Sequence, residues 1–372
     1  RNLGWDSSEE NKGIRLMKYF LLLLSAIYPT TSIFAQNQEQ SSVKKVQYTP
    51  LPMIGSAPET GLQYGANLTT KFDLGSNQKV KPSFISLTLL NTTKNQFLAI
   101  SKQEIFTNKS KFIGLIDYKK FPENFYGIGP TSTINDSTMI SWAKFETELR
   151  GMRKLNQTSF VGAQIIFSSL DTVKILGDKK EYASTPGFEG GSFSGLGLSF
   201  NYDTRDDPYT AKKGSFIDAK YNFLIGDFSH RFLEIDMRKF IGLNGNTIAL
   251  QNKFYNSSGN VPFWAMPKLL NQTGNSFMFR GLPDGRYRDK GAFAFQGEYR
   301  HSFKNRFGFV IFASTGSVFS SWSDIDFSEF KNAYGFGLRY QLRKESSENL
   351  RLDIGFSPNE PMGIYILFKE AF

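Results

Sequence analysis

The 372-residue sequence has no cysteine and only two histidines, His230 and His301. Without cysteine, the chain forms no disulfide, uses no thiol nucleophile and carries no cysteine-based metal site. Neither histidine has a partner at the spacing of a metal motif. The sequence also contains no nucleophile elbow, phosphate-binding loop or dinucleotide fingerprint. We therefore predict that the protein is not an enzyme and needs no metal or cofactor.

Long apolar runs and clustered charge are also scarce. Mean hydropathy is −0.33, although 40% of the residues are hydrophobic and 15% are aromatic. The apolar residues must therefore be spread thinly, as they are in alternating strands. The net charge of +10 comes without a basic run or an arginine-rich helix. This distribution argues against nucleic acid as a partner and favours contacts with outer-membrane lipid.

One apolar run stands near the N-terminus, at residues 19–28, directly after Met17 and Lys18. The run is too short to span a membrane, and a small-residue cleavage site follows it, ending at Ala35. We predict a signal peptide over 17–35, with 1–16 as an upstream extension that is not native to the protein. Residues 36–45 then form a short periplasmic segment, and residues 46–372 form the folded domain. An uncleaved anchor helix is the alternative to the signal peptide.

The remainder of the sequence alternates polar and apolar residues with the period of β-strands. In one segment Phe293, Phe295 and Tyr299 share a face, and the other face carries Gln296, Glu298 and Arg300. A soluble sandwich would show the same alternation with its apolar face inward. Long segments after an export signal favour an all-β transmembrane barrel instead, with lipid outside and a polar lumen.

Strand parity decides how many strands this barrel has. Clear alternation gives fifteen strands between residues 60 and 370, but bacterial barrels have an even number. Long loops of such barrels lie outside the cell. One more strand upstream would place all three long connections there, namely 120–138, 171–191 and 257–290. Residues 46–56 are the first choice, because Pro50 and Pro52 disguise a weakly paired strand. Residues 125–134 are the alternative. Either choice predicts a barrel of sixteen antiparallel strands.

A barrel of this size, with an Arg-Gly pair in a long sixth outer loop, resembles the Omp85 superfamily of outer-membrane barrels. That superfamily, of the bacterial surface antigen D15 type, includes the BamA and TamA assembly factors. The loop motif here consists of Phe279, Arg280, Gly281 and Leu282, and leucine replaces the family's usual aromatic residue at the last position. The resemblance covers nearly all of 46–372.

A second passage is similar to a periplasmic turn that is common in these barrels. It contains Asp203, Arg205 and Asp206, followed by Gly214. A calcium site is the alternative interpretation of these acidic residues, but they lack the spaced ligands of a calcium loop. The passage is therefore predicted to be a polar turn.

The resemblance implies that the sixth loop folds into the lumen and that its arginine meets acids on the barrel wall. Carried over residue by residue, Arg280 pairs with Glu298 on the following strand. The family's second acid corresponds to Ser314 here, so we expect one ion pair rather than two. Ser314 and Asp353 are expected to make secondary contacts in the lumen.

The family also implies a function for the first and last strands, which pair poorly and can part toward the lipid. The corresponding lateral gate would involve Pro50 and Pro52 in the first strand, and Gly363 and Phe372 in the last. We expect a barrel that assembles, inserts or translocates outer-membrane proteins. Its partners would be unfolded outer-membrane proteins and a separate periplasmic or lipoprotein partner, because 36–45 is too short for the family's periplasmic POTRA domains.

Two other functions remain open at this point. One is a structural or partner-binding barrel that is plugged by its own loop. The other is a passive pore, with a lumen of mixed charge.

Overall fold

The computed structural model describes residues 46–57, 61–74, 80–120, 122–177, 180–208, 210–269, 278–303, 306–341, 349–368 and 370–372. Its regular elements are β-strands and short 3-10 helices, so the all-β prediction is confirmed. None of the helical segments in these ranges is long and apolar enough to cross a membrane. The predicted segments 1–16, 17–35 and 36–45 lie outside the described residues.

Sixteen strands form one antiparallel sheet in which each strand pairs with the next along the chain. Their bounds are β1 Gln47–Ala57, β2 Gly61–Phe72, β3 Ser83–Thr92, β4 Phe97–Phe106, β5 Ser110–Lys120, β6 Ala143–Lys154, β7 Ser159–Leu170, β8 Gly191–Asp203, β9 Gly214–Gly226, β10 His230–Leu243, β11 Asn246–Gly259, β12 Gly291–Ser302, β13 Phe307–Phe319, β14 Lys331–Gln341, β15 Asn349–Phe356 and β16 Gly363–Phe368.

The predicted strand number is confirmed, and the extra strand is the N-terminal one, β1. The alternative at 125–134 is wrong, because this region is not part of the barrel. Its neighbour Glu123–Phe125 pairs with Thr138–Ser141, which in turn pairs with Lys174–Ile175 in a separate three-stranded sheet. This small sheet is built from the connections β5–β6 and β7–β8.

The two faces of the barrel wall differ in polarity as the alternation predicts. On β8, Leu196 and Leu198 are 65% and 64% exposed, whereas Ser199 and Asn201 are buried. Polar residues inside the wall pair across the interior, as Arg150 of β6 does with Asp218 of β9 at 2.8 Å. The barrel therefore buries a polar interior and presents an apolar outer surface, the reverse of a soluble sandwich.

The long connections β5–β6, β7–β8 and β11–β12 all leave the barrel at the same end, as the parity argument requires. We call this the loop end. At the opposite end, the turn end, most connections are short, such as the two-residue turn between β10 and β11.

The first and last strands meet at a seam. A Cβ on Gly55 of β1 would lie 3.2 Å from the carbonyl oxygen of Ile366 of β16, so the two strands are neighbours. Within the described residues, consecutive strands form registered ladders, but β1 and β16 form none. The barrel is thus nearly closed, and its hydrogen-bonded wall is interrupted at this one seam.

Candidate functional site

The loop motif forms a tight turn between the end of the β11–β12 connection and the barrel wall. Phe279 and Gly281 both have positive φ angles, 33° and 104°, and the amide of Leu282 donates to the carbonyl of Phe279 at 3.0 Å. A Cβ on Gly281 would lie 2.4 Å from the backbone nitrogen of Phe356 on β15. The motif therefore needs glycine for its conformation and for its approach to the wall.

Arg280 projects from this turn into a fully buried site between two carboxylates. Its Nη1 is 2.8 Å from Oδ2 of Asp353 on β15, and its Nη2 contacts Oε1 of Glu298 on β12. The guanidinium lies 3.5 Å from the ring centroid of Phe312 on β13. All three ionised side chains are 0% exposed, so each charge depends on its partners rather than on water.

The expectation of one ion pair is wrong, because Asp353 supplies the second acid. Ser314 of β13 does not take that place. The ladder sets Phe312 opposite Glu298, and Ser314 faces Gln296 instead. The hydroxyl of Ser314 is buried and has no hydrogen-bond partner among the described residues.

The two acids of the site belong to a longer row of alternating charges. Glu298 also accepts from Nε of Arg300 at 2.7 Å, and Asp353 accepts from Nη1 of Arg339 at 2.5 Å. Arg339 then pairs with Glu370 at 2.8 Å. The sequence reasoning missed Arg300, Arg339 and Glu370 as members of the site. Their inward positions in the alternation were the available signal for the two arginines.

The motif is also fixed to the last two strands through backbone contacts. The amide of Gly281 donates to the hydroxyl of Tyr365 on β16 at 3.0 Å. A Cβ on Gly355 of β15 would lie 2.4 Å from the carbonyl carbon of Arg280. Gly363 makes room for the same tyrosine, since a Cβ there would be 2.5 Å from its hydroxyl. The loop therefore holds the β16 side of the seam from inside.

Phe372 does not lie on the last strand, so its expected place in the gate is wrong. β16 ends at Phe368, and the buried Phe372 packs 5.9 Å from the ring of Phe240 on β10. Arg300 covers its ring at 4.9 Å and donates to its carbonyl oxygen at 3.2 Å. These contacts, with the Arg339–Glu370 pair, draw residues 370–372 into the barrel interior.

The predicted polar turn lies between β8 and β9, at the turn end. Arg205 donates to Asp203 at 3.0 and 3.2 Å, and Asp206 accepts from the amides of Lys212 and Lys213 at 2.9 and 3.2 Å. Gly214 has a φ of 109°, and a Cβ there would be 2.3 Å from the carbonyl oxygen of Thr204. The motif residues thus bind one another and shape the turn.

The loop end is covered by a cap built from three connections. Phe125, Phe188 and Phe263 form its aromatic centre, with ring centroids 4.8–5.7 Å apart. Charged contacts surround this centre. Glu123 binds Lys268 and Arg288, each at 3.2 Å. A further pair, Arg286–Glu360 at 2.6 Å, joins the cap to the β15–β16 connection.

Two carboxylates of the cap have shifted pKa values in opposite directions. Burial alone would raise the pKa of Glu123, but Lys268 and Arg288 outweigh it and lower the pKa. Burial raises the pKa of Asp284, which has only the more distant Lys268 at 3.8 Å as an ion-pair partner in the described part. Glu123 is therefore the carboxylate on which the Lys268 and Arg288 contacts of the cap depend.

Two of the solved structures that match this chain bear on its fold. The structure of BamA from Haemophilus ducreyi lacking POTRA domains 1–3 matches with a TM-score of 0.60 and 10% identity, over 87% of this chain and 70% of that one. CdiB from Acinetobacter baumannii matches with a TM-score of 0.56 and 11% identity, over 88% of this chain. The match spans 60% of CdiB, less than two thirds of its length.

Sequence comparisons add no relative. No protein-family model matches the chain, and no curated protein matches it. At 10–11% identity the two structural matches concern the fold. The chain therefore has a barrel fold similar to those of BamA and CdiB.

Proposed function

We propose that the protein resides in a bacterial outer membrane and inserts or translocates polypeptides there, with the β1–β16 seam as the edge that opens. The interrupted ladder at this seam is the observation that carries the proposal. Unpaired N–H and C=O groups on an opened edge can form a new ladder with an incoming strand. Lipid cannot satisfy such groups, so an edge that parts in a membrane strongly favours a polypeptide partner.

The prolines of β1 support this proposal. The β1–β2 ladder runs through Pro50 and Pro52, which face Leu68 and Ala66. Two prolines at alternate positions have their nitrogens on the same side of a strand. Because the ladder to β2 persists, we infer that this side faces β16, where two N–H donors are then missing. The seam would be weaker on its β1 side, because proline has no N–H group to donate to a neighbouring strand.

The anchoring of β16 supports a particular direction of opening. Gly281 binds Tyr365 of β16, and Arg280 binds Asp353 of β15, so both strands are fastened to the loop motif. β1 meets this fixed edge through the small Gly55. In the proposal, β1 moves outward and β16 stays in place as the template.

The apolar outer wall supports the membrane location. Exposed leucine and aromatic side chains occur around the wall, with a polar interior behind them, as lipid-spanning barrels require. The loop end would face outward and the turn end would face the periplasm. A periplasmic or lipoprotein partner would then meet the barrel at the turn end.

Reconstitution tests the proposed activity. Protein comprising residues 36–372 would be placed in liposomes, and the folding of an unrelated unfolded outer-membrane barrel would be timed. Empty liposomes and liposomes that hold a plain porin are the controls. We expect faster folding than in both. Folding no faster than with the porin would contradict insertion by the barrel alone.

A structural or partner-binding barrel is the second candidate, and the filled interior favours it. The Arg280 site, the wall ion pairs and the cap all occupy the barrel. The same filling argues against a passive pore. Absence of insertion activity together with co-purification of a stoichiometric envelope protein would favour this candidate.

A further inference from the structure

The connection between β13 and β14, residues 320–330, lies against the outside of the barrel wall instead of over its mouth. Trp322 stacks on Phe254 of β11, with ring centroids 4.9 Å apart. Phe330 packs 6.3 Å from Phe293 of β12. Phe254 and Phe293 face each other across the β11–β12 ladder. The connection is therefore fastened to the outward face of two strands.

Hydrogen bonds hold the connection in this position. The hydroxyl of Ser317 on β13 donates to the carbonyl oxygen of Glu329 at 3.4 Å. The side chain of Asp326 accepts from the amide of Ser328 at 2.8 Å and orders the 3-10 turn Phe327–Glu329. The aromatic residues of the connection are thus presented on a structured turn.

Two of these aromatic residues are far more exposed than those of the cap. Phe327 is 81% exposed and Trp322 is 58% exposed, whereas Phe125 and Phe263 of the cap are 0% and 1% exposed. A cluster of exposed aromatic residues marks a surface that meets an apolar partner. Phe327 stacks on Phe330 at 5.2 Å, and Phe330 directly precedes β14, whose outward Tyr334 and Phe336 are 57% and 50% exposed.

We propose that residues 320–330 are an anchor that inserts Trp322 and Phe327 into the headgroup boundary of the outer leaflet. This inference rests on the proposed membrane location. The position of the connection selects lipid as the occupant, because it packs on the outward face of β11 and β12, which lipid covers in the proposed location. Aromatic side chains favour this boundary, where rings meet both acyl chains and water. Asp324 and Asp326, both exposed, stay on the aqueous side.

The anchor sits beside the β11–β12 hairpin, whose long connection carries Arg280. A membrane-fixed β13–β14 connection would hold the wall on the β16 side of the seam at constant depth while β1 moves. The inference thus adds a lipid-binding surface to the side of the seam that stays in place in the proposed opening.

Tryptophan fluorescence tests the anchor directly. The sequence has four tryptophans, Trp5, Trp142, Trp264 and Trp322, and residues 36–372 retain the last three. The signal of Trp322 is the difference between this protein and its Trp322→Phe variant, each in phosphatidylcholine vesicles. Lipids brominated near the headgroup should remove most of this difference signal, and aqueous iodide should remove little of it. Phe327→Ser should weaken the lipid quenching.

Two added reporters keep failure of the anchor distinct from failure of the membrane proposal. Leu196→Trp places a probe on the exposed wall of β8, and Ile134→Trp places one on the exposed cap. The anchor is refuted if deeply brominated lipids quench the β8 probe but brominated lipids do not quench Trp322. In that case iodide would quench Trp322 as it quenches the cap probe. If neither the β8 probe nor Trp322 responds to lipid, both the membrane location and the anchor are refuted.

Discussion

At the residue scale, Arg280 shows why a buried charge is held by several partners. Its guanidinium touches Glu298, Asp353 and the ring of Phe312. Removing it would leave Glu298 with Arg300 and Asp353 with Arg339, so each buried carboxylate would lose one of its arginine partners. The cost of leaving buried charges with fewer partners exceeds the loss of the contacts themselves.

Arg280→Ala should therefore lower the free energy of unfolding by about 3–5 kcal/mol, the range for breaking a buried ion pair from one side. Urea unfolding of the folded barrel in vesicles measures this change. Arg153→Ala is the matched control, because Arg153 is exposed at the end of β6. Equal stability of the two variants would contradict the role assigned to Arg280.

Gly355 provides a second test that removes no charge. Gly355→Ala should displace the motif, because the new Cβ would meet the Arg280 backbone at 2.4 Å. We expect faster heat unfolding of the barrel in detergent, read as the loss of its compact band on a gel. Gly151→Ala is the control, since the nearest atom to a Cβ there is 3.7 Å away. The account fails if both variants behave like the parent protein.

The sequence was informative at this scale for Arg280 and Glu298, whose pairing was expected from the family resemblance. It was misleading for the second acid, because Asp353 comes from β15, 73 residues from Arg280. Such a contact depends on barrel closure and on strand register. Local alternation could place Asp353 on the inner face but could not choose its partner.

At the element scale, the seam depends on what β1 can donate. Replacing both Pro50 and Pro52 with valine would restore two N–H groups to β1, on the side we assign to β16. We expect β1 and β16 to be held together more strongly. The unfolding temperature of the barrel should rise, and the barrel should accelerate the folding of an unfolded outer-membrane protein less. Ala66→Val is the control, because Ala66 pairs with Pro52 and the change adds a β-branched side chain without adding a donor.

Faster insertion or lower thermal stability of the variant with valine at both positions would oppose this assignment.

The prolines also explain why the sequence could locate β1 only through parity. They disguise the strand locally, whereas the positions of three long loops require it.

The cap gives a prediction for pH. Glu123 has a pKa below its ordinary value of 4.5 because of Lys268 and Arg288. A carboxylate with a lowered folded pKa stabilises the folded state above its ordinary pKa, and this contribution is lost as pH falls through the lower, folded value. Burial raises the pKa of Asp284, so this carboxyl group binds its proton at a higher pH than an ordinary aspartate does.

The cap should accordingly loosen as pH falls below about 4.5. Emission from Trp142 and Trp264 in the Trp322→Phe background measures this change. Glu123→Gln should loosen the cap already at neutral pH and flatten the acid response. An acid response that Glu123→Gln leaves unchanged would assign the transition to other groups.

At the scale of the whole molecule, alternation and parity were sufficient to predict the fold. The alternation within each strand identifies its inward and outward faces, and the positions of the long loops give the direction of each strand. The barrel can therefore be predicted from these features of the sequence. The path of residues 370–372 could not be obtained in this way. Phe372 has the same parity as the outward Ile364 and Ile366, although Glu370 stands between them, and only the contacts with Arg300 and Phe240 inside the barrel explain its inward position.

The central claim is that the β1–β16 seam opens for function, and a reversible lock tests it most directly. Because the chain has no cysteine, Ile54→Cys with Ile366→Cys would introduce the only thiols, both on the outward face of the seam strands and beside the close approach of Gly55 to Ile366. Leu198→Cys with Tyr221→Cys, a registered pair of β8 and β9, is the control lock. The measurement is the rate at which each reconstituted protein speeds the folding of an unfolded barrel, before and after reduction. The account predicts that oxidation abolishes the acceleration only in the seam variant and that reduction restores it. Full acceleration with the seam verifiably crosslinked would contradict the claim.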